Sequence, residues 1–390
     1  MSVIITKKIT LPINATGHTP PSNKEEETKI EAGKICYPLL NKISKYKHII
    51  VFKPAIDTLE IGCAVPEKDR VEIVDGLNAL INNDPDFKTI PPSKDKRTFG
   101  YNRSFYWLNG GKLDKQVLIV FIPYGHTKEN GYKKSAKNAP DNAGSGDDKK
   151  DVDTGERDFI KIILQPSGLT SADMAAFGDF WGMLTQNYPH LSLHSVYARP
   201  DAIKRLDICV DMLNVHISSL VVNIDPALLE KNPKKTKQTV WLNKTGRKET
   251  QYLLHNPKDA AKEYVYDKRK EILDNGGVPP YGVLPMTRFE KRVETEKSVH
   301  GLVDLKNHMA AFDIKAFNLR ALKGKSYSYW LFVNYALLRT VEKAAELIPE
   351  KHRQKHIDFF NDNLVQLWHP NKLWESWPDE LKRLRLLPKK

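Results

Sequence analysis

Between Arg205 and Leu213 the chain reads RLDICVDML, and its side chains alternate strictly. Leu206, Ile208, Val210 and Met212 share one side at a period of two, while Arg205, Asp207, Cys209 and Asp211 share the other. The stretch is therefore expected to be a β-strand with one face in a core. Two carboxylates and a guanidinium on the second face need a counter-charge wherever water is excluded, from basic side chains or from a metal ion. Left in solvent, as on the wet side of an antiparallel sheet, the same face needs none.

A chain of 390 residues can bury a sizeable core and is expected to hold two or three structural parts. Its net charge of +13 points to a polyanionic partner, with nucleic acid first. Cys36, Cys63 and Cys209 are odd in number and lack paired metal spacing, which argues against a disulfide framework or a zinc site and fits a reducing cytoplasm. The opening MSVIITKKITLP has no signal-peptide core, and the best apolar run, Tyr329 to Leu338, is far shorter than the ~20 residues of a membrane helix. A protein neither secreted nor membrane-spanning is expected.

Residues 1–45 lack periodicity and read as a flexible arm. An N-terminal α+β half follows over 46–124: HIIVF and IDTLEIGCAV read as strands, and Pro66 opens a helix with Val71, Val74, Leu77 and Ile81 on one face. RSFYWL and VLIVFIPY, joined through Asn109, Gly110 and Gly111, read as a hairpin. Residues 125–157 hold almost no large apolar side chain and read as a disordered insertion. Their acids Asp147, Asp148, Asp151 and Asp153 lack calcium-loop spacing.

A second α+β half is expected over 158–304. It begins with strand DFIKIILQPS and a helix capped by Thr170 or Ser171, with Met174, Phe177, Trp181 and Leu184 facing the core. The order strand, helix, strands thus occurs over 49–123 and again over 159–213, which allows two related β-α-β halves. Further strands are TVWLN, TQYLLHN, EYVYDK and TRFEKRVE, and the helix KRKEILDNGG is stopped by Gly276 and Gly277. From 305 to 390 helical spacing dominates, through Tyr329, Phe332, Val333, Ala336 and Leu337 and then Phe359, Leu364 and Leu367. The fold class is α+β: a mainly antiparallel sheet with packed helices, followed by a helical C-terminal region.

Polar strand faces recur. Tyr264, Tyr266 and Lys268 share one, and Arg288, Glu290, Arg292 and Glu294 share another. Laid side by side with Arg205–Leu213, they would combine phenols, carboxylates and cations, the equipment for phosphodiester transesterification. Carboxylates Asp207, Asp211 and Glu290 would hold a hard ion, Mg²⁺ or Mn²⁺, Arg205, Arg288 and Arg292 would take DNA phosphates, and a tyrosine oxygen would attack. A phenol has a pKa of about 10, so Lys268 or the metal would have to stabilise the phenolate. Plainer roles exist for each: tyrosines suit strands, Asp267 can cap the next helix, and Glu290 can pair with neighbouring arginines.

The ordered set R-x-D-x-x-x-D, then Y-D-K before a charged helix, then R-F-E-x-R-x-E resembles the trans-acting rolling-circle replication initiators of plasmids, with related mobile-element relaxases and phage initiators. The resemblance covers about 155–300, with a weaker echo at IDTLEIG near Asp57. It implies an enzyme whose tyrosine takes the 5′ phosphate of single-stranded or hairpin origin DNA and frees a 3′ hydroxyl. Tyr266 matches the family's tyrosine, Tyr264 competes with it, and Asp207, Asp211 and Glu290 match its acidic positions. The metal-binding pair of histidines flanking one apolar residue, found in many rolling-circle enzymes, is absent. His190 and His194 read as ordinary surface residues. No GxxxxGK[ST] loop occurs, consistent with resealing without ATP. The basic run Lys231 to Lys237 and the tail with Arg383, Arg385, Lys389 and Lys390 would add backbone affinity. A host helicase and a second copy of the chain are candidate partners, and a conjugative relaxase or a non-catalytic DNA-binding repressor are the alternative functions.

Overall fold

The computed structural model describes residues 48–66, 69–83, 87–90, 101–107, 117–123, 158–230, 236–242, 248–255 and 262–387, with short strand segments at 9–10, 27–28 and 35–38. The expected insertion at 125–157, most of the arm at 1–45, and Lys389 and Lys390 lie outside the described residues.

In chain order the strands begin β1 (Ile9–Thr10), β2 (Glu27–Thr28), β3 (Ile35–Pro38), β4 (His48–Val51) and β5 (Ala55–Ala64). Helix α1 (Arg70–Asn83) leads to β6 (Phe87–Ile90), β7 (Tyr101–Trp107), β8 (Val117–Pro123) and β9 (Asp158–Leu164). Then come α2 (Ser171–Leu184), α3 (Leu193–Ala198), β10 (Ile203–Leu213), β11 (Leu220–Ile224) and α4 (Pro226–Glu230). They are followed by β12 (Thr236–Leu242), β13 (Lys248–His255), β14 (Glu263–Asp267), α5 (Lys268–Asp274), β15 (Met286–Val293) and β16 (Phe312–Phe317). The chain closes through α6 (Tyr327–Leu338), α7 (Val341–Ala345), α8 (Glu350–Asp362), β17 (Leu364–Gln366), α9 (Pro370–Trp374) and α10 (Trp377–Arg383).

These elements form two compact units that interleave along the chain: one from 1–55, 208–292 and 306–377, the other from 56–207, 293–305 and 378–390. The boundary between 207 and 208 falls within β10.

In the first unit the strand order is β12-β13-β14-β15-β10, with β4 on the end of β10 through Met212 opposite Val51 and Leu213 opposite Ile50. The pairs β12/β13, β13/β14 and β14/β15 are antiparallel. A second antiparallel sheet runs β11-β16-β17. Phe289 packs on Phe312 and Trp368, with ring centroids 4.9 and 5.1 Å apart. The buried Trp368 indole donates to Met309 O at 3.1 Å, which satisfies its one polar atom. The helical region α6–α8 has its own core of Phe317, Phe332, Val333, Leu337 and Phe360. Leu364 lies in strand β17 rather than on a helix, because Asn363 ends α8 and the next residues pair with β16.

In the second unit β5, β9, β8, β7 and β6 follow one another with antiparallel registers. The β7/β8 pairing is the expected hairpin partnership. The start of β10 lies beside β5, where Gly62 N donates to Ala202 O at 2.7 Å. Helix α2 buries Met174, Phe177, Trp181 and Leu184, the face its periodicity indicated. In α1, by contrast, Val71 is 71% exposed although its spacing pointed it inward, and Ile73 is buried; the side chains of Val74, Leu77 and Ile81 lie outside the described residues.

Thr170 caps α2 through a reciprocal pair: Asp173 N donates to Thr170 Oγ1 at 3.1 Å, and Thr170 N donates to Asp173 Oδ2 at 2.7 Å. Thr170→Ala is expected to lower stability by about 1 kcal/mol and Thr170→Ser by much less, measured by thermal unfolding. An equal effect of both would show that the cap bond is irrelevant.

Candidate active site

The organising strand is buried on both faces. Leu206, Ile208, Val210 and Met212 are buried as expected, but Asp207 and Cys209 on the polar side are each 1% exposed. The wet-face expectation therefore fails there, and the carboxylates are balanced by cationic side chains. In the second unit Asp207 accepts from Arg205 Nε at 2.6 Å, and Arg205 also reaches Glu60, which takes Lys161 Nζ at 2.9 Å. In the first unit Asp211 takes a two-pronged grip from Arg288, Nε to Oδ1 at 2.6 Å and Nη2 to Oδ2 at 2.8 Å. Burial works against the Arg288 charge, yet Cys209 and Asp211 beside it push its pKa well above the ordinary arginine value.

The β14/β15 register explains the rest of the site. Tyr264 stands opposite Glu290 and Tyr266 opposite Arg288, so a period of two brings these four side chains to one sheet face. On the reverse face Val265 meets Phe289, and Glu263 holds Lys291 Nζ at 2.8 Å. Tyr266 Oη donates to Glu290 Oε2 at 3.1 Å, and Tyr264 Oη donates to Oε1 of the same carboxylate. Glu290 is itself buried. Two phenols therefore converge on one buried carboxylate, beside an arginine that faces Tyr266 across the strand pair.

Lys268 begins α5, with Nζ 5.7 Å from the Tyr266 ring centroid and 2.7 Å from Glu271. Asp267 caps this helix by accepting from Lys270 N at 2.9 Å, and it also lies 3.4 Å from His216 Nε2. Burial alone would raise the Asp267 pKa, but the His216 contact and the Lys270 N–H hold it below the usual aspartate value. Arg292 continues β15, its backbone N–H bonded to Lys262 O at 2.6 Å. His190 and His194 are exposed.

An aromatic row was not anticipated from the sequence. Trp241, Tyr252, Tyr264 and Tyr266 follow one another across β12, β13 and β14, with successive ring centroids 6.3, 6.2 and 5.6 Å apart. Its signal lay in the paired strand sequences TVWLN and TQYLLHN, but only the β12/β13 and β13/β14 registers put the rings in line.

The acidic positions do not fit a shared Mg²⁺ or Mn²⁺ as arranged. Asp207 is held by Arg205, Asp211 by Arg288 and Glu290 by two hydroxyls, so each carboxylate already has protein donors. Among the described residues no group of three or more His, Cys, Asp or Glu side chains is set to hold a metal ion. Nor is any helix of the described residues long and apolar enough to cross a membrane. No protein-family model matches the chain, and no curated protein matches it.

Proposed function

We propose that the protein nicks and rejoins single-stranded DNA through a tyrosine, as a cytoplasmic initiator of rolling-circle replication. The observation that carries this reading is the convergence of the Tyr266 and Tyr264 hydroxyls on the buried Glu290 carboxylate. A phenol poised on a carboxylate is a nucleophile held beside a base. The basic balance of the chain favours a polyanionic substrate. The aromatic row Trp241–Tyr252–Tyr264 offers ring faces to unpaired bases, which duplex DNA would keep stacked on one another.

In the reaction, the Tyr266 hydroxyl proton passes to Glu290 as the phenolic oxygen attacks phosphorus. The bond from phosphorus to the 3′ oxygen breaks, and that oxygen leaves as a hydroxyl once protonated by solvent. The product is a 5′-phosphotyrosine, a linkage similar in energy to the bond it replaces, so the 3′ hydroxyl can reverse the step without ATP. A phenol of pKa about 10 and a carboxylate of pKa about 4.3 are far apart, so proton transfer is productive only as phosphorus takes up the charge. Lys268 near the Tyr266 ring, and Arg292 further along β15, are the cations proposed to offset that charge. Arg288 is committed to Asp211 and contributes through its field.

The test is covalent capture. Purified protein is incubated with single-stranded and hairpin oligonucleotides in Mg²⁺, in Mn²⁺ and in chelator, then run on denaturing gels. A protein–DNA adduct is expected with wild type and Tyr264→Phe, none with Tyr266→Phe, and about 10²- to 10⁴-fold slower formation with Glu290→Gln. An adduct lost in Tyr264→Phe and kept in Tyr266→Phe would move the nucleophile. No adduct in any arm, with DNA still bound, would leave a non-catalytic DNA-binding protein.

A further inference from the structure

Two polar atoms of the second unit are sealed from water without a partner, and their rings lie against each other. The first is on α3, a short helix capped by Ser192, whose Oγ accepts from Ser195 N at 3.2 Å. Tyr197 of that helix is 3% exposed, yet its hydroxyl has no hydrogen-bond partner. Burial, and to a lesser degree Cys63, pushes the phenol's pKa up, so the hydroxyl stays a neutral donor. The Tyr197 ring stands edge to face with that of His300, centroids 5.8 Å apart. His300 opens the 3₁₀ turn His300–Asp304, and its Nδ1 donates to Leu386 O at 3.0 Å. A carbonyl can only accept, so the proton of the neutral imidazole sits on Nδ1 and Nε2 keeps its lone pair. That Nε2 is shielded and is the second atom without a partner. Folded chains seldom leave a buried acceptor unpaired.

His194 completes the cluster. It precedes Tyr197 by three positions on α3, so both share one side of the helix, and its ring centroid is 5.3 Å from that of His300 with the planes 46° apart. Nitrogens ~2.0–2.1 Å from one tetrahedral ion place the ring centroids of two imidazoles roughly 5 Å apart, so this pair is spaced for a shared ion. His300 also has the outer contact that orients a ligating imidazole, its Nδ1–H on a backbone carbonyl. His194 is exposed, which gives an ion a way in. A lone water could satisfy Nε2 and the Tyr197 hydroxyl, but it has no use for the second imidazole. Imidazole nitrogens favour borderline metal ions over Mg²⁺.

We propose that His194 and His300 bind one divalent ion of the zinc, nickel or copper class, with water in its remaining positions and the Tyr197 hydroxyl donating to one of those waters. The ion would clip α3 to the 293–305 segment within the second unit. The site is separate from the tyrosine chemistry and does not depend on it.

Calorimetric titration of the untagged, chelator-stripped full chain with Zn²⁺, Ni²⁺ and Cu²⁺ tests this. The chain holds 12 histidines, so the variants carry the assignment. His194→Gln, at an exposed position, and His300→Gln are each expected to weaken binding at least about tenfold, since loss of an outer contact alone typically costs about 10- to 100-fold. Electron paramagnetic resonance of bound Cu²⁺ is expected to show coupling to the nitrogens of two imidazoles in wild type and of one in His194→Gln. Tyr197→Phe is expected to keep the ion, because a second water can take the place of the hydroxyl. Tyr266→Phe and Glu290→Gln are expected to bind it as wild type does, so failure of the nicking reading and failure of this one are read separately. Affinities of both histidine variants within twofold of wild type overturn the site. So does the absence of saturable binding in wild type, in which case Nε2 and the Tyr197 hydroxyl share a water.

Discussion

Arg288→Met is expected to destabilise the protein by about 3–5 kcal/mol, measured by urea unfolding. The Arg288 side chain is 5% exposed and that of Asp211 18%, and the guanidinium holds both carboxylate oxygens. Removing the cation leaves a largely dehydrated carboxylate whose Coulombic partner is gone, and that is dearer than the pair is worth. Asp211→Leu/Arg288→Met, which removes both charges, is therefore expected to recover most of the loss. The recovery separates the worth of the pair from the penalty of an orphaned charge, as double-mutant cycles do for neighbours. A loss under about 1 kcal/mol in Arg288→Met would mean that water reaches Asp211 and that the pair is ordinary surface electrostatics.

Lys248 governs the second large effect, a dependence of stability on pH. Its ammonium is buried in β13 and donates to Leu220 O at 2.9 Å and Gln251 Oε1 at 3.1 Å. Both acceptors are neutral, and dehydration lowers its pKa from 10.5 to about 7. Below about pH 7 the amine is charged in both the folded and the unfolded chain, and the folded chain bears the full penalty of burying it. As pH rises from about 7 to about 10.5 the folded form is neutral while the unfolded form still binds a proton, so stability rises across that window. The gain is about 5 kcal/mol at most. Lys248→Met is expected to remove this rise. The variant loses two hydrogen bonds, so its offset at a single pH is not diagnostic, but the slope of unfolding free energy against pH between 7 and 10 is. A variant with the same slope as wild type would place the titration elsewhere.

Local periodicity was a good guide wherever one side of an element faces a core. The alternation in Arg205–Leu213, Glu263–Asp267 and Met286–Val293 assigned the faces of β10, β14 and β15, and helical spacing assigned the buried stripe of α2. Alternation could not say what lies opposite each polar face. Of the three acidic residues read as a metal cage, Asp207 meets Arg205 two residues earlier on its own strand, whereas Asp211 meets Arg288 and Glu290 meets two phenols through strand pairing. In α1 the spacing pointed Val71 inward, yet it faces out and Ile73 is buried.

The amino-acid sequence alone determined the α+β class, the strand faces, a cap for α2 at Thr170 or Ser171, the Asp267 cap and the candidate residues Tyr264, Tyr266 and Glu290, because each follows from backbone geometry over a few neighbouring positions. Tertiary structure decided that two phenols share one carboxylate, that Trp241 and Tyr252 extend their row, and that Lys248 is dry while Tyr327 and Trp330 are wet. These depend on pairings between distant segments and on what covers a side chain, and neither dehydration nor register is encoded by a residue's own neighbours in the chain.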